Sequence, residues 1–341
     1  KINKPKLNYR TMAVNIEDIK KLRHMTGAGM MDCKNALAET NGDIEAAIEI
    51  IRKKGQAVAA KREDRNASEG CVLAGTNGDF AAIVTLKCET DFVAKNESFR
   101  ALTKKILEVA LDAKAKSLDE VKAIVYDGRT VAEHVTDEIG KTGEKMELGD
   151  YEWVEAQSVA AYEHLGNKLA TIIGFNLPDV PAEVGKEVAM QVAAMNPVSV
   201  SREAVPQEVI DKELAIAIDK TKEEQVKKAV ENALKKKGFN LYIAENEDHL
   251  KEGIMKGYIT EADANEIRKI KEEVAAEKAA NLPEQMIQNI ANGRLNKFFK
   301  ESVLLEQEYH RDAKKTVKEY LNGEVKGLTV LAFRRVNLSE D

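Results

Sequence analysis

Glu69-Gly70-Cys71-Val72-Leu73-Ala74-Gly75-Thr76-Asn77-Gly78-Asp79-Phe80-Ala81-Ala82-Ile83-Val84-Thr85-Leu86-Lys87-Cys88 is the stretch on which the fold turns. Two runs suited to strands flank Asn77-Gly78, a pair at home in tight hairpin turns, so the segment reads as a β-hairpin. A helix is predicted over Glu97 to Ala113. After a variable stretch, Thr130-Val131-Ala132-Glu133-His134-Val135 opens a short helix, and an extended segment ends near Ala156. The order then repeats. Ser158 to His164, the turn Gly166-Asn167 and Leu169 to Phe175 make a second hairpin. A helix follows over Ala182 to Met195, and much later come Thr316-Val317-Lys318-Glu319-Tyr320-Leu321 and a strand from Leu328 to Val336. The Thr-Val-x-Glu string marks the same place in each copy. The expected fold class is α+β: two duplicated subdomains, each a three-stranded antiparallel sheet backed by helices. The first spans 69–156 and the second 157–202 with 308–341.

Outward from this core, the N-terminal segment reads as three short helices. Asn15 and Asp18 supply a cap and a first-turn acid, and Ile16, Ile19 and Leu22 give one apolar face. Thr26-Gly27-Ala28-Gly29 breaks the helix. Met30 to Glu39 follows, with Cys33, Ala36 and Leu37 inward; Asn41-Gly42 ends it, and Asp43 caps a third helix. There Ala46, Ala47, Ile50 and Ile51 face the core, and Gly55 is read as the stop. The bundle, of the ubiquitin-associated type, occupies 12–55, and 56–68 is a charged, Ala-rich connector. Residues 1–11 precede Met12-Ala13 and are read as a leader or added residues outside the fold.

Between the last helix and the last strand of the second copy lies 203–307. Val226, Ala229, Val230, Ala233 and Leu234, then Ile267, Ile270 and Val274, form narrow apolar stripes on two helices. An antiparallel coiled-coil hairpin is expected, with Gly238 to Thr260 as a decorated tip carrying Tyr242 and Tyr258.

Composition bounds the function. The 341 residues are 32% charged with a net charge of −6, which argues against a dedicated nucleic-acid binder. Aromatics at 5% and only 6 Pro favour helices over an all-β fold. No apolar run is long enough to span a bilayer, so no membrane role is expected. Cys33, Cys71 and Cys88 are odd in number and widely spaced, which suggests unpaired thiols in a reducing cytoplasm. The five His (24, 134, 164, 249, 310) make no metal spacing and read mostly as surface residues, and no cofactor motif is present. Gly27-Ala28-Gly29 lacks the Lys-Ser/Thr of a phosphate loop and follows no strand. Lys235-Lys236-Lys237 suits a solvated helix end.

Two segments stand out as partner-binding candidates. Thr90-Asp91-Phe92-Val93-Ala94-Lys95-Asn96 places a large aromatic where a strand hands over to a helix. Phe92 could turn inward with Asp91 capping the helix, or project as a contact. Met30 and Met31 are adjacent on a helix and cannot both face one core: one is expected inside, and at least one outside, where a flexible Met suits a partner surface.

The string Leu22-Arg23-His24-Met25-Thr26-Gly27-Ala28-Gly29-Met30-Met31-Asp32-Cys33-Lys34, followed by Thr90-Asp91-Phe92-Val93-Ala94-Lys95, resembles the bacterial translation elongation factor Ts family. The resemblance covers Asn15 to Asn337 apart from roughly 223–271, for which no counterpart is placed, and the family's short C-terminal helical module has no match before Asp341. It implies a guanine-nucleotide exchange factor for the GTPase elongation factor Tu, acting in the cytoplasm without catalytic residues, metal or cofactor of its own. Thr90, Asp91, Phe92 and Val93 would form the exchange loop that disturbs the Mg²⁺ site. Arg23, Gly27, Gly29, Met30 and Met31 would grip another helix of the GTPase, and the second core half would meet a different domain. The helix around Val188 to Ala194 fits the family, with Gln191 where other members can carry His. Direct nucleic-acid contact is not implied, and a homodimer or a 2:2 complex is left open. A rival class is an adaptor, whose bundle takes a ubiquitin-like or peptide partner while the coiled coil drives assembly. A third is an enzyme using Cys33 or Cys88, which lacks a paired base.

Overall fold

Three helices open the described part of the chain, which runs from residue 14 to residue 340 of the computed structural model; the segment 1–11 read as a leader lies outside the described residues. Helix α1 (Ile16–Thr26) starts at Asn15, whose side chain accepts the Glu17 N–H at 3.0 Å. It ends at Gly27, where φ of +67° lets the N–H reach back to the Arg23 carbonyl at 2.7 Å. Helix α2 (Met30–Glu39) and helix α3 (Ile44–Lys61) follow, the latter capped by Asp43 on the Ala46 N–H at 3.1 Å. Ile19, Leu22, Cys33, Ala36, Leu37, Ala47 and Ile48 form the bundle core. Ile48 takes an inward place in α3, while Ala46 is only half-buried.

Gly55 does not stop α3. The helix runs on to Lys61, so the charged segment begins as helix and only the residues past Lys61 connect it to the sheet. The glycine serves a crossing. Helix α7, introduced below, brings Gly140 against it, and a Cβ built on Gly140 would stand 2.8 Å from the Gly55 Cα. A small residue in a helix interior can mark close backbone approach as well as an end, and here the approach decides.

The first sheet follows. Strands β1 (Glu69–Asn77) and β2 (Phe80–Cys88) pair antiparallel from Glu69↔Cys88 to Asn77↔Phe80. A one-turn helix α4 (Asp91–Ala94) and the longer α5 (Glu97–Ala113) come next, then α6 (Leu118–Ala123), strands β3 (Val125–Tyr126) and β4 (Arg129–Thr130), α7 (Val131–Thr142) and β5 (Met146–Glu155). Strand β5 pairs with β2, giving the order β1-β2-β5. The second hairpin is β6 (Ser158–Glu163) and β7 (Leu169–Phe175), followed by α8 (Ala182–Met195).

Pro197–Glu308 and Asp312–Thr316 form a compact unit distinct from the one holding the chain up to Asn196, Tyr309–Arg311 and the stretch from Val317. Within it, α9 (Gln207–Lys236) packs against both α11 (Glu261–Ala280) and α12 (Glu284–Ser302), with α10 (Glu247–Met255) between α9 and α11 in sequence. The expected hairpin therefore has a divided return limb: Asn281 ends α11, and Pro283, which has no N–H to give a continuing helix, caps α12. The tip is also more than decoration. Leu234, Ala244, Leu250, Ala264 and Ile267 are buried together there.

The chain returns through β8 (Glu308–Tyr309), β9 (Asp312–Thr316), α13 (Val317–Glu324) and β10 (Val330–Asn337). Strand β10 pairs with β7, giving the order β10-β7-β6. Thr130 and Thr316 stand just before α7 and α13, and Val131 and Val317, the first residue of each, are fully buried. The duplication read from those strings is present in three dimensions.

Strand β2 shows how the two sheets share a core. Phe80, Ala82, Val84 and Leu86 point to one side, among Phe99 and Ile106 of α5 and Val135 and Ile139 of α7. Ala81 and Ile83 point to the other, among Val154, Ala170, Ile172 and Val336. Each face has a cover, so the strand is apolar along its length rather than alternating. Among the described residues, no helix is long and apolar enough to cross a membrane.

Candidate partner-binding site

The segment after β2 is a single helical turn. Thr90 caps α4, its hydroxyl accepting the Val93 N–H at 3.4 Å, and Asn96 caps α5 on the Ser98 N–H at 3.0 Å. Capping thus falls to Thr90, and Asp91 is the first helical residue. Val93 and Ala94 pack on the core of the first sheet. With that side of a one-turn helix anchored, the opposite side faces solvent, and Phe92 sits there with 82% of its surface exposed. The inward reading of Phe92 does not hold.

Asp91 makes an ion pair with Lys95 at 2.7 Å, one turn on. That hydrogen bond holds the Asp91 carboxyl below its usual range and raises Lys95 in turn. Beneath the turn, Glu144 accepts both the Thr90 N–H at 3.1 Å and the Thr90 hydroxyl at 2.7 Å.

A cleft of about 650 Å³ lies beside α4, between Asp91, Ala94 and Lys95 and the β6–β7 turn. Leu165 stands at the tip of that turn, 92% exposed. Gly166-Asn167 is the turn expected from sequence, whereas Leu165 is not among the residues expected at the site; an apolar residue at a turn tip, with no strand face to serve, is the available signal.

On the bundle, Gly27 and Gly29 bracket Ala28, which is buried. Gly27 supplies the positive φ, and Gly29 precedes α2 as its cap. Cys33 donates its thiol to the Ala28 carbonyl at 3.7 Å, drawing the turn onto the bundle core. Arg23 is exposed. Met30 and Met31 are both exposed, at 50% and 63%, so neither takes the core place expected for one of them. At the start of α2 the inward positions belong to Ala28 and Cys33, which leaves the pair turned outward.

Other candidates resolve differently. Gln191 is fully buried on α8 and accepts the His310 N–H at 2.9 Å, so it braces the fold. His134 and His249 are half-buried and stack on Tyr126 and Tyr242. Among the described residues, no group of three or more His, Cys, Asp or Glu is placed to hold a metal ion. All three thiols are buried. Burial raises each of them, Cys71 to about 11 and Cys88 to about 12, and so disfavours the thiolate a nucleophile needs. Lys237 ends α9 in an ion pair with Glu266 at 3.0 Å.

A family model described as elongation factor TS matches residues 89–340. An elongation factor Ts of Bacteroides thetaiotaomicron is 56% identical over 331 residues, covering 97% of this chain and 100% of that protein. One from Parabacteroides distasonis is 55% identical over 328 residues, with 96% and 99% covered. One from Porphyromonas gingivalis is 46% identical over 331 residues, with 97% and 100% covered. At these coverages the matched span runs across the helical arm, including the part with no counterpart placed from sequence. The chain therefore belongs to the elongation factor Ts family of translation elongation factors.

Proposed function

We propose that the chain is a guanine-nucleotide exchange factor for elongation factor Tu, working in the cytoplasm and without catalytic chemistry of its own. An exchange factor must bind the nucleotide-free GTPase more tightly than the loaded one; the difference in affinity is what lowers nucleotide affinity in the complex. GTPases hold GDP through a phosphate loop and a Mg²⁺ ion. A rigid apolar probe pushed between neighbouring helices weakens both at once.

The observation that carries this reading is Phe92, a large aromatic 82% exposed on a turn whose other side is anchored in the core. Phe92 enters between helices of the GTPase, and Thr90, Asp91 and Val93 shape and anchor the turn around it. Arg23, Met30 and Met31, with the Gly27–Gly29 turn behind them, grip a second helix. Leu165, across the cleft from α4, extends the apolar contact. In this reading the bundle and the two core halves act together as one unit, and exchange does not draw on the arm.

The test is GDP release from elongation factor Tu. Phe92→Ala removes mostly exposed atoms, so its melting temperature should match that of the parent chain. Maximal stimulated release should fall about a hundredfold, the effect of losing an apolar anchor of about 2–3 kcal/mol. Unchanged release would end the wedge reading.

A further inference from the structure

The end of α7 touches both candidate contact elements. Glu144, just past the helix, turns its two carboxylate oxygens onto Thr90, accepting the backbone N–H at 3.1 Å and the hydroxyl at 2.7 Å. Thr90 is the cap of α4. A helix of one turn has too few internal hydrogen bonds to hold itself, so its aim is fixed jointly by the packing of Val93 and Ala94 and by what grips its cap. That grip comes from a carboxylate 54 residues away. Glu144 is itself fixed: its N–H donates to the Thr142 hydroxyl at 3.3 Å, which donates to the Glu138 carbonyl at 3.0 Å.

The same helix end reaches the bundle turn. The aliphatic stem of Lys141 lies over Gly27, where an added Cβ would stand 2.8 Å from the Lys141 Cδ. Lys141 is held by Glu138 at 2.9 Å. Glu138, 3% exposed, also accepts the Ser98 hydroxyl at 2.6 Å, in the first turn of α5 directly after α4. One short stretch, Glu138 to Glu144, therefore braces the Gly27 turn, the start of α5 and the cap of α4.

We propose that Glu144 is a positioning residue for nucleotide exchange: it fixes the Thr90 cap and so the aim of Phe92, while Lys141 on the same helix end seats the Gly27 turn, making α7 the spacer between the two contact surfaces. This rests on the exchange reading above. Two surfaces held at a fixed spacing let binding energy gained at the bundle be spent on insertion at Phe92. Glu144 contributes to the insertion step and little to initial capture.

The test uses the full chain with Glu144→Ala, Glu144→Asp and Glu144→Gln. It reads GDP release from elongation factor Tu against factor concentration, and amide hydrogen exchange over Thr90–Lys95 in the free chain. Loss of a two-oxygen grip on a cap should lower the maximal rate by about tenfold in Glu144→Ala, with the half-saturating concentration moving by less than about threefold. Amide exchange over Thr90–Lys95 should rise while the rest of the chain keeps its protection. Glu144→Gln should recover most of the rate, because its amide accepts the Thr90 N–H and donates to the hydroxyl. Glu144→Asp, one methylene short, should fall between and serves if the alanine variant melts early. An unchanged maximal rate in both Glu144→Ala and Glu144→Asp, or unmoved amide exchange at Thr90–Lys95, overturns the proposal alone. A parent chain that leaves GDP release unstimulated removes the exchange reading and the proposal with it.

Discussion

Leaving a phenylalanine in water forgoes about 2 kcal/mol of burial, so Phe92 is costly as a free side chain and useful only when covered. Thr85 is its inverse. It is fully buried on β2, and its hydroxyl finds no hydrogen-bond partner among the described residues. A buried hydroxyl without a partner keeps its desolvation penalty, so Thr85→Val, which replaces it with a methyl of similar shape, should raise stability by about 1 kcal/mol, read as a higher urea midpoint at constant slope. The Asp91–Lys95 pair gives a pH prediction. The folded Asp91 carboxyl lies below its ordinary value of 3.8, so the pair's contribution to the turn is present above that value and is lost as pH falls through the lower folded one. Lys95→Ala should bring the Asp91 titration back up toward 3.8, followed by carbon NMR of the carboxyl. A titration that stays low would mean that the turn itself, not Lys95, depresses it. At this scale the sequence spoke unevenly. It placed Phe92 and Met30-Met31 at element boundaries but could not orient them, because orientation depends on which neighbours, Val93 and Ala28, take the inward places.

Helices and strands were legible wherever local chemistry repeats. Asn15 and Asp43 cap as their type requires, and Asn77-Gly78 closes the first hairpin. The duplicated Thr-Val-x-Glu strings fall at matching helix starts. What stayed hidden were long-range reasons for small residues. Gly55 looks like a stop in a sequence read one helix at a time; its purpose appears only when α7 lies across α3 and brings Gly140 against it. The break in the arm's return limb at Pro283 was equally readable in principle, since proline opens helices more readily than it continues them. The crossing gives a sharp test. Gly→Ala inside a helix ordinarily gains about 1 kcal/mol from propensity. Gly140→Ala should instead lose about 1–3 kcal/mol, because the new methyl meets the Gly55 backbone, which cannot yield as a side-chain tip would. Thermal melting decides by sign: a raised midpoint would mean the two helices separate at little cost.

At the scale of the whole molecule, the chain divides into a unit carrying the bundle and both sheets and a unit carrying the arm, each with its own buried core. The three side chains most exposed for their type around the exchange proposal, Phe92, Met31 and Leu165, all lie in the first unit. The arm's tip has a core of its own, Leu234, Leu250 and Ile267 among it, so its folding draws on local burial. On the exchange reading, those two facts predict that the arm is separable from exchange. The excision should take α11 whole rather than end near 271, which cuts it internally; replacing residues 223–282 with a short turn joins the first part of α9 to α12 at the natural break before Pro283. The cut removes the Glu224 partner of Arg294, an exposed pair worth about 0–1 kcal/mol. Loop-closure cost changes slowly with length, so the shorter connection should be tolerated. Stimulated GDP release should stay within about twofold of the full chain, a shift of under 0.5 kcal/mol in barrier. A large loss of release with an unchanged melt of the first unit would mean that the arm reaches the GTPase and that the exchange surface extends beyond Phe92, Met30, Met31 and Leu165.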